Sequence, residues 1–538
     1  MVSLFNSLNI ASNALSVNES AISVVSHNVA NMNTEGYSKQ RVNLATRNIS
    51  GAIGDSVEAQ IRANGGVMIA NVMRYNDEYL NSYYRDQLST LKQYQEQLDN
   101  MGDLAGIFDD LGGNGISSAL KGFYDALNNL NEYPASSTAR VNFIESAKTL
   151  TSIMNTKSAQ LNELTGKALG NGADRETLET SKIYNQYGEF NKKLDELAEV
   201  NKALIRTQTG TLEANNLLDK RDMILNDISG FVNIKTIEKR NGSVDLYVGD
   251  VKMVGGAVVT GKLDIQTAKE YCKGHDIVYP DDWYTEDEKG NKIPGPAAVM
   301  NIVDENGDPI IDYANDQIRG GALGGMLHCT DLQDPDMNVG KAQESLNRLA
   351  NTIANVFNAL NTDTEHACCI NKNDVTKLVY TTADNAIFVN SSGTGDITAG
   401  NMAINPELLK EDGCWNLACA YFENPDDFDE NAVGNSKNVI FMLESRNTKQ
   451  PALNGVSIED FYTGLVGKIA SGGSNMQALV DTQQEVVDSI KNEITANNSV
   501  DLNEELVNLV KYQTAYSASA QVFNVVNECL GVITSLGS

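Results

Sequence analysis

Apolar residues recur every three and four positions at both ends of the chain. Near the N-terminus the run is Leu4, Leu8, Ala11, Leu15, Asn18, Ile22, Val25 and Val29. Near the C-terminus it is Leu502, Leu506, Leu509, Gln513, Tyr516, Ala520, Phe523, Asn527 and Leu530. That spacing puts one apolar stripe on each helix, the pattern of a coiled-coil seam. Neither stripe has a partner nearby in sequence, so the economical arrangement folds the chain back and lays its two ends side by side. A helix stripe is more often the core-facing side of an ordinary bundle. The terminal position of both stripes, and the polar Asn18, Gln513 and Asn527 within them, favour a contact device in which polar residues fix register at a cost in stability.

Between the stripes the pattern changes several times. Residues 1–32 read as a helix with Ser3 as N-cap. The segment is rich in Ser and Asn, so it is marginal alone and is expected to order only on meeting its partner. Asn33 to Val72 reads as loop or extended chain, with Gly51, Gly54, Gly65 and Gly66 as breakers. Helix is predicted over 76–101, over 117–130 up to Tyr133-Pro134, and over most of 138–206, weakest at Gly166, Gly170 and Gly172. A loop at Gly112, Gly113, Asn114 and Gly115 separates the first two. From Gly230 to about 330 short β-rich runs such as Val244–Val248 and Val299–Val303 alternate with turn signals at Asn241-Gly242 and Asn306-Gly307. Helix returns over 338–361, residues 363–437 are mixed, and helix runs from Ile458 to the end with breaks at Gly472-Gly473 and Asn497-Asn498. Asp501 and Glu504 resemble a capping box that opens the last helix.

The predicted fold class is therefore α + β, a long helical coiled-coil and bundle core built from both chain ends, with β-rich outer domain(s) inserted in the middle. The expected division is a terminal helix pair (1–37 and 500–538), a helical bundle domain (38–230, 338–362 and 438–499), a β-rich outer domain (231–337) and a mixed, loop-rich segment (363–437) that is a further outer domain or an extension of the previous one.

Composition narrows the function. The net charge of −30 over 538 residues opposes a phosphate backbone or an anionic membrane as partner. No apolar run reaches the length of a bilayer span. The first cation is Lys39, so a positive signal-peptide n-region is missing. Cys272, Cys329, Cys368, Cys369, Cys414, Cys419 and Cys529 are odd in number and irregular in spacing, unlike a disulfide framework. Cys272 with His275, and His366 with Cys368-Cys369, lack the paired spacing of a zinc site. Asp304-Glu305-Asn306-Gly307-Asp308 lacks the closing Glu of a calcium loop and reads as a hairpin turn. Phosphate-cradling glycine motifs and nucleophile elbows are absent. The expectation is no catalytic site, no cofactor and no metal.

Residues Ile22 to Arg41 contain Ser26, Asn28, Ala30, Asn31, Asn33, Thr34, Gly36 and Tyr37. This run resembles the signature shared by bacterial flagellar axial proteins, the rod, hook and junction subunits. Glu35 stands where that family often has Pro. Gly36-Tyr37-Ser38-Lys39-Gln40 is similar to the version in junction subunits, whereas rod and hook subunits more often continue Gly-Phe. Asn114 to Arg140, Asn216 to Asp222 (with Lys220 for a more usual Gln), Gly320 to Leu327, and Val500 to Ala520 resemble further blocks, in family order. The β-rich middle has no such match.

The resemblance implies a structural subunit, not an enzyme, at the junction between hook and filament. It implies a ring of about eleven subunits whose inner tube is made of paired N- and C-terminal helices. The implied partners are further copies of itself, the hook protein, a second hook–filament junction protein, a cytoplasmic export chaperone at the C-terminal helix and the flagellar type III export apparatus. The implied location is extracellular, on the flagellum, reached without a cleaved signal peptide, with no nucleic acid and no membrane insertion. Alternatives are another axial subunit of hook or rod type, or an axial subunit whose outer domain also acts as an adhesin or enzyme.

Overall fold

The computed structural model describes residues 2–48, 64–110, 113, 115–279, 284–286, 292–393 and 395–536. Helix α1 (Val2–Ala30) is followed by strands β1 (Gln40–Asn48) and β2 (Asn64–Arg74). Then come α2 (Glu78–Ile107), α3 (Ile116–Glu132), α4 (Ser137–Leu169), the short α5 (Arg175–Glu179), α6 (Lys182–Arg206) and α7 (Leu212–Phe231). Side chains of Asp77, Ser136, Ser181 and Thr211 accept from backbone N–H groups at the starts of α2, α4, α6 and α7, giving these helices firm N-termini.

Strands β3 (Lys235–Glu238), β4 (Val244–Val248), β5 (Val251–Gly255) and β6 (Val258–Val259) form an antiparallel meander. Strand β7 (Lys262–Thr267) leads through α8 (Ala268–Gly274), β8 (Tyr284–Glu286) and β9 (Lys292–Pro294) to β10 (Ala298–Val303) and β11 (Pro309–Ile311), and β7, β10 and β11 form a second sheet. After α9 (Gly321–Leu327) and α10 (Val339–Asn361) come the short strands β12 (Ala367–Asn371), β13 (Asp374–Tyr380), β14 (Phe388–Asn390), β15 (Met402–Ile404) and β16 (Ala420–Tyr421). Helices α11 (Lys437–Glu444), α12 (Ile458–Asn498) and α13 (Leu502–Leu536) close the chain. The α + β class and the β insertion between helical ends match the expectation.

Two large cores hold the body. One joins α3, α4, α10 and the start of α12 to segments between 387 and 453; Phe123 sits at its centre against Phe143 and Phe357 at 5.1 and 4.9 Å between centroids. The other joins the end of α4, α6, α7 and α9 to the sheets of residues 235–311. The cores thus cut the chain differently from the division read in the sequence. α6 and α7 pack with the β-rich middle, and much of 363–437 packs on the helical bundle. Only β12, β13, β16 and their neighbours hold a small cluster of their own.

Two local expectations are corrected and a third is made definite. Ser3 lies inside α1 and does not precede it. The stretch 33–72, read as loop or extended chain, is extended over Gln40–Asn48 and from Asn64 on, as the two strands of a bulged antiparallel hairpin paired from Gln40 with Arg74 to Asn48 with Asn64. Gly66 there has φ +85°, and an added Cβ would sit 3.2 Å from Ile10 Cγ2, so the glycine lets the hairpin close on α1. Gly51, Gly54, Gly112 and Asn114 lie outside the described residues. Gly472-Gly473 does not break α12, which runs unbroken through it. Its packing explains this: a Cβ on Gly472 would come within 2.9 Å of Met101 Cε, so the glycine admits α2 at close range.

Candidate assembly interface

Asn28 near the end of α1 meets Glu505 near the start of α13, and Ala21 and Val24 meet Tyr512 one to two turns further along. The two terminal helices therefore lie antiparallel, 477 residues apart in sequence at the Asn28–Glu505 contact.

The family-like signature is the joint between them. Asn31 accepts from Thr34 N–H at 2.9 Å and Thr34 from Tyr37 N–H at 3.2 Å, so the chain leaves α1 in successive turns. Gly36 takes φ +76°, and an added Cβ would lie 2.5 Å from Met223 Sδ. Tyr37 then folds back, and its hydroxyl donates to Asn28 Oδ1 at 2.7 Å. Asn28, 1% exposed, spends all its capacity here. Its amide donates to Gln40 O at 2.8 Å and Glu505 Oε1 at 3.1 Å, and its Oδ1 also accepts from Gln40 N–H at 3.0 Å. Lys39 pairs with Glu504, and its N–H donates to Asn498 O at 2.9 Å. One asparagine thus ties α1, β1 and α13 together. Of the other signature residues, Asn31 and Tyr37 are half-buried, and Ser26, Ala30, Asn33, Thr34 and Gly36 are exposed.

Behind the joint, α7 supplies a buried ionic anchor. Asp219 accepts from Ser38 N–H at 3.3 Å and from Arg74 at 2.9 Å. Asp222 accepts from Arg74 at 2.8 Å, Arg221 at 2.8 and 3.0 Å, and Arg85 at 3.3 Å. Asn215 donates to Gln40 Oε1 at 2.9 Å and Val72 O at 3.1 Å. Burial pushes the Asp222 carboxyl up, and Arg221, Arg74 and Arg85 together reverse this and hold it below the usual range. Burial raises Asp219 despite Arg74, and raises Glu505 despite Asn28 and Lys39. Tyr37 is raised by burial, with Asp219 and Glu505 adding to it.

The predicted stripes meet only in part. On α1, Ala11 and Val25 are buried, and Leu4, Leu8, Leu15, Asn18, Ile22 and Val29 are half-buried. The most buried run is instead Val17, Ala21, Val24 and Asn28, because α1 is pressed by the hairpin as well as by α13. On α13, Leu509, Ala520, Phe523 and Leu530 are half-buried. Leu502, Leu506, Gln513, Tyr516 and Asn527 are exposed. Asn18 donates to the Ala14 carbonyl of its own helix at 2.8 Å. The register contact expected of Asn18, Gln513 and Asn527 is therefore made by Asn28 and Glu505.

Arg74 and Arg85 lay outside every motif read in the sequence, and Gln40 and Glu505 lay inside motifs without being assigned a role. Asp219, Arg221 and Asp222 likewise lay inside a motif without being assigned a role. The usable signal was the clustering of Asn and Asp around a helix end, with arginines on neighbouring segments.

The other chemistry considered in the sequence has structural partners. His275 pairs with Asp312 at 2.6 Å and stacks on Tyr271; His366 pairs with Asp363 and stacks on Tyr421. Asp304 Oδ1 accepts from Asn306 and Asp308 N–H groups in the turn between β10 and β11. Among the described residues no group of three or more His, Cys, Asp or Glu is placed to hold a metal ion, and no helix is long and apolar enough to cross a membrane.

Comparisons with known proteins cover both ends and the body. Residues 101–364 match the family described as the flagellar hook-associated protein FlgK helical domain. Residues 8–37 match the flagella basal body rod protein family, and 497–536 the flagellar basal body rod FlgEFG protein C-terminal family. The chain is 24% identical over 545 residues to flagellar hook-associated protein 1 of Bacillus subtilis, covering 100% of this chain and 99% of that protein. It is 21% identical over 599 residues to flagellar hook-associated protein 1 of Salmonella typhimurium, covering 98% and 99%. Its fold is similar to the flagellar hook junction protein FlgK from Burkholderia pseudomallei, with a TM-score of 0.53 and 12% identity, covering 79% of this chain and 100% of that one. Asn28 and Glu505 fall within the two terminal matches, and Asp219 and Asp222 within the matched helical domain.

Proposed function

This chain belongs to the family of flagellar hook-associated protein 1, and on that premise we propose how it works as the structural subunit of the junction between hook and filament. It is part of the bacterial flagellum and assembles with other flagellar components. Its terminal helices α1 and α13 line the inner tube, in a ring of about eleven subunits. The hook protein lies on one side of the ring and the second junction protein on the other. Residues 231–337 and part of 363–437 lie toward solvent.

The observation that supports this reading is the outer face of α13. Val507, Val510, Val525 and Val532 are each more than half exposed, although the opposite side of the same helix packs on α1. A helix apolar on both sides is half-satisfied in a single chain and is completed by neighbouring copies. Ordering of the tails is then coupled to assembly. Such a face also needs cover beforehand, which gives an export chaperone its physical task. The subunit leaves through the flagellar type III apparatus without a cleaved signal peptide and functions outside the cell.

Leu506→Asp and Phe523→Asp test this. Each places a charge on α13, Leu506→Asp on its exposed side and Phe523→Asp at the partly buried seam. The expected outcome is loss of hook capping in cells lacking the native subunit, with unchanged thermal unfolding of the body. Hooks capped normally by both variants would refute the reading.

A further inference from the structure

A second apolar surface lies beside the joint, and its large side chains are exposed among the described residues. Met68, Met73 and Tyr75 point outward from β2, and Tyr79 and Tyr83 continue the line along the first two turns of α2. All five are among the exposed large hydrophobic residues; Met73 is 51% and Tyr79 80% exposed. Met73 and Tyr75 are two residues apart, the bulge between Ile69 and Asn71 brings Met68 to their face opposite Ala45, and Tyr79 and Tyr83 lie four apart on one helix face, a few residues after the strand ends. Aromatic and methionine side chains with an arginine at the rim are the composition of interface centres. Here Arg41, paired in register with Met73, is that arginine.

The charge pattern identifies what fits. The chain carries a net charge of −30, so two copies repel least where acidic residues are few or already engaged within the chain. Between Asn64 and Tyr83 the charged residues are Arg74, turned inward onto Asp219 and Asp222, Asp77, whose carboxylate accepts from Leu80 N–H at the start of α2, and Glu78, which faces Arg85 at 3.6 Å. Between Leu506 and Leu536 the only charged residues are Lys511 and Glu528. Two apolar surfaces with few charged residues are thus exposed on the same chain. They adjoin through Tyr75, whose N–H donates to Lys39 O at 2.9 Å while the Lys39 ammonium sits 5.7 Å from its ring and pairs with Glu504 of α13.

Resting on the junction reading, we propose that the strip from Met68 to Tyr83 receives the outer face of α13 (Val507, Val510, Val522 and Val525) from a second copy of this chain. The two surfaces differ, so the contact is head-to-tail. Each copy offers one of each, and repetition gives a ring or helix instead of a closed pair.

The test uses the full chain with a photoreactive benzoylphenylalanine at position 79, mixed with isotope-labelled unmodified chain and purified hook fragments. After illumination, copy-to-copy adducts are expected within residues 507–533. Tyr79→Glu is expected to reduce the copies retained per hook about tenfold or more, with unchanged thermal unfolding, while Tyr79→Phe retains them. Co-sedimentation with hooks but adducts to the hook protein, to another segment or to nothing would overturn the strip and leave the junction reading standing. Normal retention of Tyr79→Glu would do the same. If the unmodified chain fails to co-sediment with hooks, the junction reading falls and the strip falls with it.

Discussion

Replacing Asp222 by Asn removes one charge and little volume from the anchor behind the joint. The Asp222 side chain is 13% exposed and accepts from three guanidinium groups. Arg221 is fully buried, and Arg85 and Arg74 retain 3% and 7% side-chain exposure. Without the carboxylate, Arg85 keeps only Glu78 at 3.6 Å and Asn226 at 3.1 Å. Arg221 keeps Glu238 at 3.2 Å and the Gly242 carbonyl. Breaking a buried ion pair from one side costs about 3–5 kcal/mol, and each charge-assisted hydrogen bond contributes about 1.5–3 kcal/mol. We therefore expect Asp222→Asn to lose about 3–5 kcal/mol at pH 7 in urea unfolding, with faster amide exchange in α7. The sign with pH follows from the depressed carboxyl. Its stabilisation is present above the unfolded value of about 3.9 and is lost as pH falls through the lower folded value. The gap between variant and native should therefore narrow below about pH 4. A loss under about 1 kcal/mol at pH 7, the scale of a surface substitution, would mean that water solvates these charges and would refute the anchor.

Gly36→Ala forces an L-residue to φ +76° and drives a methyl into Met223, so docking of residues 28–40 should weaken by about 1–3 kcal/mol. Amide exchange measures this, and adding Met223→Ala should recover the steric share only. Burial raises the Glu505 carboxyl in the docked helix, so its proton-linked contribution to docking is full below about pH 4.3 and is lost as pH rises through the raised value. Protection factors in residues 502–512 should fall over that window in the native chain and stay flat in Glu505→Gln. Cys529 is exposed and the other six cysteines are buried. Ellman's reagent should therefore find a single fast thiol in the native chain and all seven after unfolding.

Helices were legible where one face is apolar and the other polar. α10 begins and ends where its three-four spacing does, because its stripe lies wholly in one core. The hairpin of β1 and β2 was not legible as such. Its alternation is interrupted by a bulge near Asn43 and Leu44, and its glycines suggest breaks although Gly66 serves a close approach to α1. Gly472 misled in the same way, since a helix packing at short range and a helix ending both call for a residue without Cβ. The terminal stripes were legible as helices but not in rotation, because apolar residues are spread round α13 between polar ones and periodicity alone cannot choose the face that meets α1. The joint was least legible. Asn28 and Glu505 are 477 residues apart, and neither carries a mark in its own segment that it will be buried against the other.

That separation also sets a clock. Asn28 cannot complete its hydrogen bonds until Glu505 exists, and at roughly 5–20 residues per second the ribosome needs about half a minute to a minute and a half to cover the interval. Through that time α1 has nothing to dock against except the hairpin, while the two cores of the body can close in turn behind it. The N-terminal tail is thus the first segment made and among the last to be satisfied. Any factor that grips an unpaired N-terminus has most of the chain's synthesis in which to find it.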